Sequence, residues 1–229
     1  QSNDLNVIQN GGFAILPKDE HGRIVIHRDH LASQIKLHGS DSVLRAFLYL
    51  VHVAIADDIH AQRRGMVILS APREDYNHTF HLEYPEDIEF LQKFFSILEF
   101  SLPIRTVSYH IVGAFMTDDY KSMVMPFIHS LMGSHMSIRH RIHNGTTALD
   151  IQTSLSEYGI TKLPAFLGGD NIPCNTDGTN WLKERRNLEE RNYMHLPISK
   201  SNSNLSGANL KPHVDDNSMD ASFTSVFLY

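Results

Sequence analysis

Histidine is the residue type in this sequence that most invites a chemical reading. It occurs 15 times, and His27 and His30, like His140 and His143, stand three residues apart. Chelation from one strand needs both side chains on one face. An odd offset on a strand turns them to opposite faces, so the spacing of His140 and His143 is a poor metal chelate. No His-Glu-x-x-His motif occurs, and the single cysteine, Cys174, lies in a polar stretch with no sign of activation. No structural or catalytic metal is expected. A nucleophilic hydrolase would need an activated serine or cysteine, and the Gly-x-Ser-x-Gly elbow is absent. Neither a Walker loop nor Gly-x-Gly-x-x-Gly is present. The expectation is therefore no catalytic residue, no enzyme activity and no nucleotide cofactor.

The basic residues suggest a different role. Arg105, Arg139, His140 and Arg141 could meet a phosphate or an anionic membrane, whereas Arg63, Arg64, Arg185 and Arg186 read as helix-end and helix-surface charges. The formal charge is −6 with histidine neutral, which argues against a general nucleic-acid binder. Protonating every histidine would bring it to +9, and free histidine titrates near pH 6.5. Mild acid is thus expected to strengthen docking on anionic membranes through His129, His135, His140 and His143.

These residues must be held by a folded scaffold, and the composition allows one. At 229 residues, 41% hydrophobic and 20% charged, the chain suits one globular domain with a tail. No run approaches 18 apolar residues, so no transmembrane helix is expected. A lone cysteine fits a reducing compartment. Gln1–Asn10 is polar, lacks an apolar signal-like region and reads as a tail.

Gly12–Leu16 and Arg23–Arg28 read as two strands joined by the turn-rich Pro17–Gly22. Ser42–Arg64 shows helical spacing of Val43, Leu44, Phe47, Leu48, Val51, Ile55 and Ile59, with Gly65 as a left-handed stop. Met66–Leu69 is a short apolar run of the kind found in a buried parallel strand. A helix is predicted over Pro85–Leu98, with Pro85 at its first position, then a strand over Thr106–Val112. The third helix runs from Asp118 to about Leu131, capped by Thr117 and kinked near Pro126. Ile138–His143 reads as a strand. Thr147–Tyr158 reads as a helix stopped by Gly159, with Ala148, Ile151, Leu155 and Tyr158 on its inner face. This alternation implies a mostly parallel sheet covered by helices. Beyond Gly169, Trp181–Asn192 is a thinly apolar charged helix, exposed or partly docked, and Pro197–Asp220 is too polar to order itself.

Four segments, in order and at the right spacing, resemble one family. Leu102–Val112 resembles the proline-initiated strand of CRAL-TRIO lipid-binding domains. Met125-Pro126-Phe127-Ile128 is similar to the family's Lys-Pro-Phe-Leu on its mobile helix. Arg139–Gly145 is similar to its last strand and closing glycine, and Leu163–Gly169 to its Leu-Pro-x-x-x-Gly-Gly ending. The hairpin at Gly22-Arg23 fits its Gly-Arg-Pro strand start. The resemblance covers about residues 11–170, leaving 1–10 as a tail and 171–229 as a C-terminal extension.

The resemblance implies an α/β fold: a mixed, mostly parallel sheet covered by helices, with a mobile gate helix over an apolar cavity. It implies a carrier that binds, and transfers between membranes, a phospholipid or isoprenoid without making or breaking a bond. The expected lining is Phe94, Leu98, Tyr109, Ile111, Phe115, Tyr120, Met123, Val124, Phe127, Ile128 and Leu131. The methionines suit adaptable apolar contact. Head-group or membrane contacts are expected at Arg105, Ser137, Arg139 and His140. Ile104 and His140 stand where inositol-lipid binders carry Glu and Lys, so little preference for phosphatidylinositol is expected. No cofactor is expected beyond the bound lipid. The implied partners are a hydrophobic small molecule and, transiently, a membrane surface, with no nucleic acid. The C-terminal extension could serve a protein partner. The implied location is cytoplasmic and peripheral to membranes. A protein-interaction or regulatory module that keeps the fold without a functional cavity is the alternative.

Overall fold

The computed structural model describes residues 3–29, 33, 35–56, 58, 60–71, 85–112, 118–145, 147–169 and 178–194. Chain contacts divide it into Gln1–Arg191 and Asn192–Tyr229; the sheet and both apolar layers lie in the first unit. Five strands form the sheet in sequential order: β1 (Phe13–Leu16), β2 (Ile24–Arg28), β3 (Met66–Ser70), β4 (Thr106–Val112) and β5 (His140–His143). β1 pairs antiparallel with β2, and the remaining pairs are parallel. The α/β class with a mixed, mostly parallel sheet is as expected from the sequence.

The hairpin turn is organised by one carboxylate. Asp19 accepts backbone N–H bonds from His21 at 3.0 Å and Arg23 at 2.8 Å and pairs with the Arg23 guanidinium. Gly22 adopts a φ of +71°, which a side chain would resist.

β2 and β3 are buried along their whole length, hence their continuously apolar reading. Ile24, Ile26, Met66 and Ile68 enter one apolar layer, and Val25, Val67 and Leu69 enter the other. Three parallel crossovers step in one direction, and right-handed connections then place their helices on a single face. α3 (Ser40–Ala56), α5 (Pro85–Ser96) and α6 (Asp118–Leu131) accordingly supply the first layer. α8 (Ala148–Ser156) covers the second with Ile151 and Leu155.

Several boundaries differ from the sequence reading. The tail 1–10 contains helix α1 (Asn3–Gln9), which buries Val7 and Ile8 and ties Asp4 to Arg45 of α3 at 2.9 Å. Two adjacent apolar residues suffice to dock a short helix that polar composition hides. α2 (Ile35–His38) precedes α3. The expected helix 42–64 is broken into α3 and α4 (Ala61–Arg64). Asp58 accepts the His60 N–H at 3.0 Å and the Lys18 ammonium at 2.9 Å, offering the chain a local turn in place of helix. Gly65 has the expected positive φ, +82°, but its ψ of −172° is not the left-handed helical value.

α5 continues through a π-turn, Ile97–Ser101, whose Leu98 carbonyl accepts the Thr106 hydroxyl at 3.0 Å. α6 runs through Pro126 as one helix; Thr117, its expected cap, lies outside the described residues. The expected strand 138–143 is shorter, because Ser134–Arg139 forms α7. Ile138 stays 70% exposed, so strand pairing would bury nothing there, and Arg141 binds its carbonyl at 2.6 Å. At α8, Thr147 and Asp150 form a reciprocal capping box and Gly159 takes the stop position with φ +79°. Ala148, assigned to its inner face, is exposed.

The charged helix, α9, spans Gly178–Met194. It is partly docked: the Trp181 ring meets Tyr49 edge-on at 6.3 Å, and the Tyr49 hydroxyl donates to Glu189 at 3.3 Å. The tail 197–220 lies outside the described residues. No described helix is long and apolar enough to cross a membrane.

Candidate functional site

The first layer contains an unbroken series of rings running across the sheet. Helical spacing puts Phe90 and Phe94 on one face of α5, stacked at 5.7 Å, with Phe95 at 6.1 Å from Phe94. Phe94 meets Tyr109 of β4 edge-on at 6.4 Å, and Phe95 meets it at 5.9 Å. Tyr109 then stacks on His140 of β5 at 5.7 Å, its partner in the ladder. At the β2 end the series finishes on Arg28, whose guanidinium lies 5.1 Å from the Phe94 ring centre and 5.4 Å from that of Phe90. A buried cation and a buried imidazole thus border one aromatic floor.

His140 is 6% exposed. Its Nδ1 shares a hydrogen bond of 2.7 Å with Nε2 of His129 on α6, while its own Nε2 is buried and has no hydrogen-bond partner among the described residues. His129 is exposed, whereas His140 Nε2 is buried. Burial pushes the His140 pKa down to about 4, helped by His129, Arg141 and His143. The ring is neutral at pH 7.

The opposite face carries a separate chain. His110 Nδ1 and His143 Nε2 are 2.7 Å apart, His143 Nδ1 meets Ser154 Oγ of α8 at 2.7 Å, and His110 Nε2 meets Ser108 Oγ at 2.8 Å. Tyr158 packs edge-on against both imidazoles, and its carbonyl accepts Arg23 at 2.7 Å. Burial first, then His143 and nearby arginines, lower His110 to about 3; burial and Arg141 lower His143 to about 4. Such weakly basic rings are poor general bases at neutral pH. The chain of bonds joins α8 to the sheet.

The residues expected to line a cavity divide in three. Phe94, Leu98, Tyr109 and Ile128 are buried in the first layer, and Ile111 and Leu131 pack against it half-buried. Phe127 faces outward, 38% exposed. Phe115 and the side chains of Tyr120, Met123 and Val124 lie outside the described residues. Met125 and Ile128 form the described inner face of α6, and Met132, one residue past its end, is buried in the same layer. Of the expected head-group residues, Arg105 is exposed, Ser137 is half-buried on α7, and Arg139 donates to the Thr106 carbonyl at 2.9 Å. His140 enters the aromatic floor.

One expectation needs correction. His140 and His143 were expected to gain protons in mild acid near the gate; both are buried and held neutral down to about pH 4. His129 and His135 are exposed. Sequence reasoning missed Arg28, Phe90 and Phe95, and grouped His129 with His140 for membrane docking rather than as its hydrogen-bond partner. A cation two residues past the apolar run Ile24–Ile26, still within the buried strand, was the available signal for Arg28.

A groove of ≈ 410 Å³ opens between α3 and α5, lined by Leu44, Gln92, Lys93, Ser96 and Ile97, outside the floor just described. Among the described residues no group of three or more His, Cys, Asp or Glu is placed to hold a metal. The fold and floor define the class as an α/β domain with a helix-covered mixed sheet. Neither a family model nor a curated protein matches the chain.

Proposed function

We propose that this chain binds an amphiphilic lipid between the first face of its sheet and α6, as a carrier and without chemistry on the ligand. The observation that carries the reading is His140 Nε2, a buried polar atom with no hydrogen-bond partner among the described residues, at the margin of an aromatic floor beneath a methionine-bearing helix. Leaving such an atom unsatisfied costs about 1–3 kcal/mol, and a ligand polar group in that position removes the cost. Met125 and Met132 suit a surface that repacks around varied tails.

The same atom constrains the head group. A neutral imidazole offers one donor or one acceptor, depending on tautomer, and suits a hydroxyl, carbonyl or ester. Ile104 is buried and uncharged. These features support a phospholipid or isoprenoid without preference for phosphatidylinositol. Exchange at a membrane surface, in the cytoplasm and with only transient contact, belongs to this reading.

The test is native mass spectrometry of the protein purified from a lipid-containing host, beside His140→Phe. Wild-type protein should carry a lipid-sized adduct, and the variant should carry several-fold less of it at unchanged thermal midpoint. Protein free of any adduct, and unable to take lipid from vesicles, would sink the carrier and favour an interaction module.

A further inference from the structure

Arg28 is not explained by packing alone. It closes β2 at the carboxyl end of the parallel strands and is 6% exposed. Its Nε–H points to Ser33 Oγ at 3.4 Å, and the guanidinium otherwise meets the rings of Phe90 and Phe94. No ion pair joins it to a carboxylate among the described residues. Ring faces recover only part of the desolvation cost of a buried cation. Directly opposite in the ladder stands Ser70, 4% exposed, and Ser33 is fully buried. A guanidinium offers a planar fork of N–H donors that matches a carboxylate or phosphate, and both serines add hydroxyl donors. Open α/β sheets place ligands at this strand end.

We propose that Arg28, Ser33 and Ser70 form an oxyanion subsite for the head group of an anionic amphiphile, a carboxylate or phosphate whose apolar chain lies along Phe90, Phe94 and Tyr109. The proposal rests on the carrier reading and adds to it the charge class of one ligand end. The ladder separates Arg28 from His140 by three strand spacings and two residues, roughly 16 Å. An extended chain anchored at Arg28 therefore reaches toward the second polar atom across the ring series.

Displacement of cis-parinarate fluorescence by oleate, oleyl alcohol and inorganic phosphate tests this on the full chain, in wild type, Arg28→Met and Arg28→Lys. Wild type should prefer oleate to oleyl alcohol by about 10- to 100-fold, the span of a charge-assisted hydrogen bond. Arg28→Met should lose that preference while keeping affinity for the alcohol, and Arg28→Lys should keep part of it. Ligand-free Arg28→Met should melt at or above the wild-type temperature, because it removes a buried charge that no carboxylate among the described residues pairs with. Equal affinity of wild type for acid and alcohol overturns the subsite and leaves the carrier standing; binding of neither overturns both. A lower ligand-free melting temperature for Arg28→Met, with both ligands weakened alike, assigns the residue to packing and overturns the subsite. Competition by inorganic phosphate at concentrations matching oleate would overturn the amphiphile.

Discussion

His140 and His143, three residues apart on β5, present their rings to opposite faces of the sheet. His140 bonds to His129 of α6 at 2.7 Å, and His143 bonds to His110 of β4 at the same distance. The two faces therefore carry separate imidazole pairs, one beside the aromatic floor and one beneath α8.

Acid should destabilise the fold through these rings. The pKa values of His110, His140 and His143 in the folded chain, about 3, 4 and 4, lie below the free value of 6.5. Between those limits the unfolded chain binds more protons, so stability rises with pH there and falls as pH drops from 6.5 toward 4. Thermal midpoints should be flat above pH 7 and fall by several degrees by pH 4.5. Replacing His110 with Asn should flatten the decline.

Membrane docking should be indifferent to the two buried rings. Co-sedimentation with phosphatidylserine vesicles between pH 5.5 and 7.5 is expected to keep its pH profile after His140→Gln or His143→Gln. Their imidazole proton resonances should not titrate in that range. A profile abolished by either change would contradict their neutrality in the fold.

Asp19→Ala should cost about 3 kcal/mol or more in urea unfolding. It strands the Arg23 guanidinium and two turn N–H groups that the carboxylate now satisfies. Asp19→Asn, which can still accept the N–H bonds, should cost less.

Gly65→Ala should lower stability by about 2–4 kcal/mol. Its φ of +82° with ψ of −172° is open to glycine alone, and an added Cβ would sit 2.5 Å from Val107 Cγ2 and 2.8 Å from the Arg105 carbonyl. Equilibrium unfolding measures the loss; an unchanged midpoint would mean that the α4–β3 junction relaxes freely.

The sequence by itself determined what depends on local chain geometry. The hairpin around Asp19 and Gly22, the apolar runs of β2 and β3, the α8 cap at Thr147 and the opposed faces of His140 and His143 follow from turn chemistry and periods of two and 3.6. These terms act between residues a few positions apart. Tertiary structure alone decided the rest. Val7 and Ile8 needed α3 to dock on. His129 met His140 only when α6 closed over β5, and Arg28 became a buried cation only when Phe90 and Phe94 covered it. Burial and pairing of this kind arise between elements far apart in the chain, and no local pattern records which surface will exclude water from which charge.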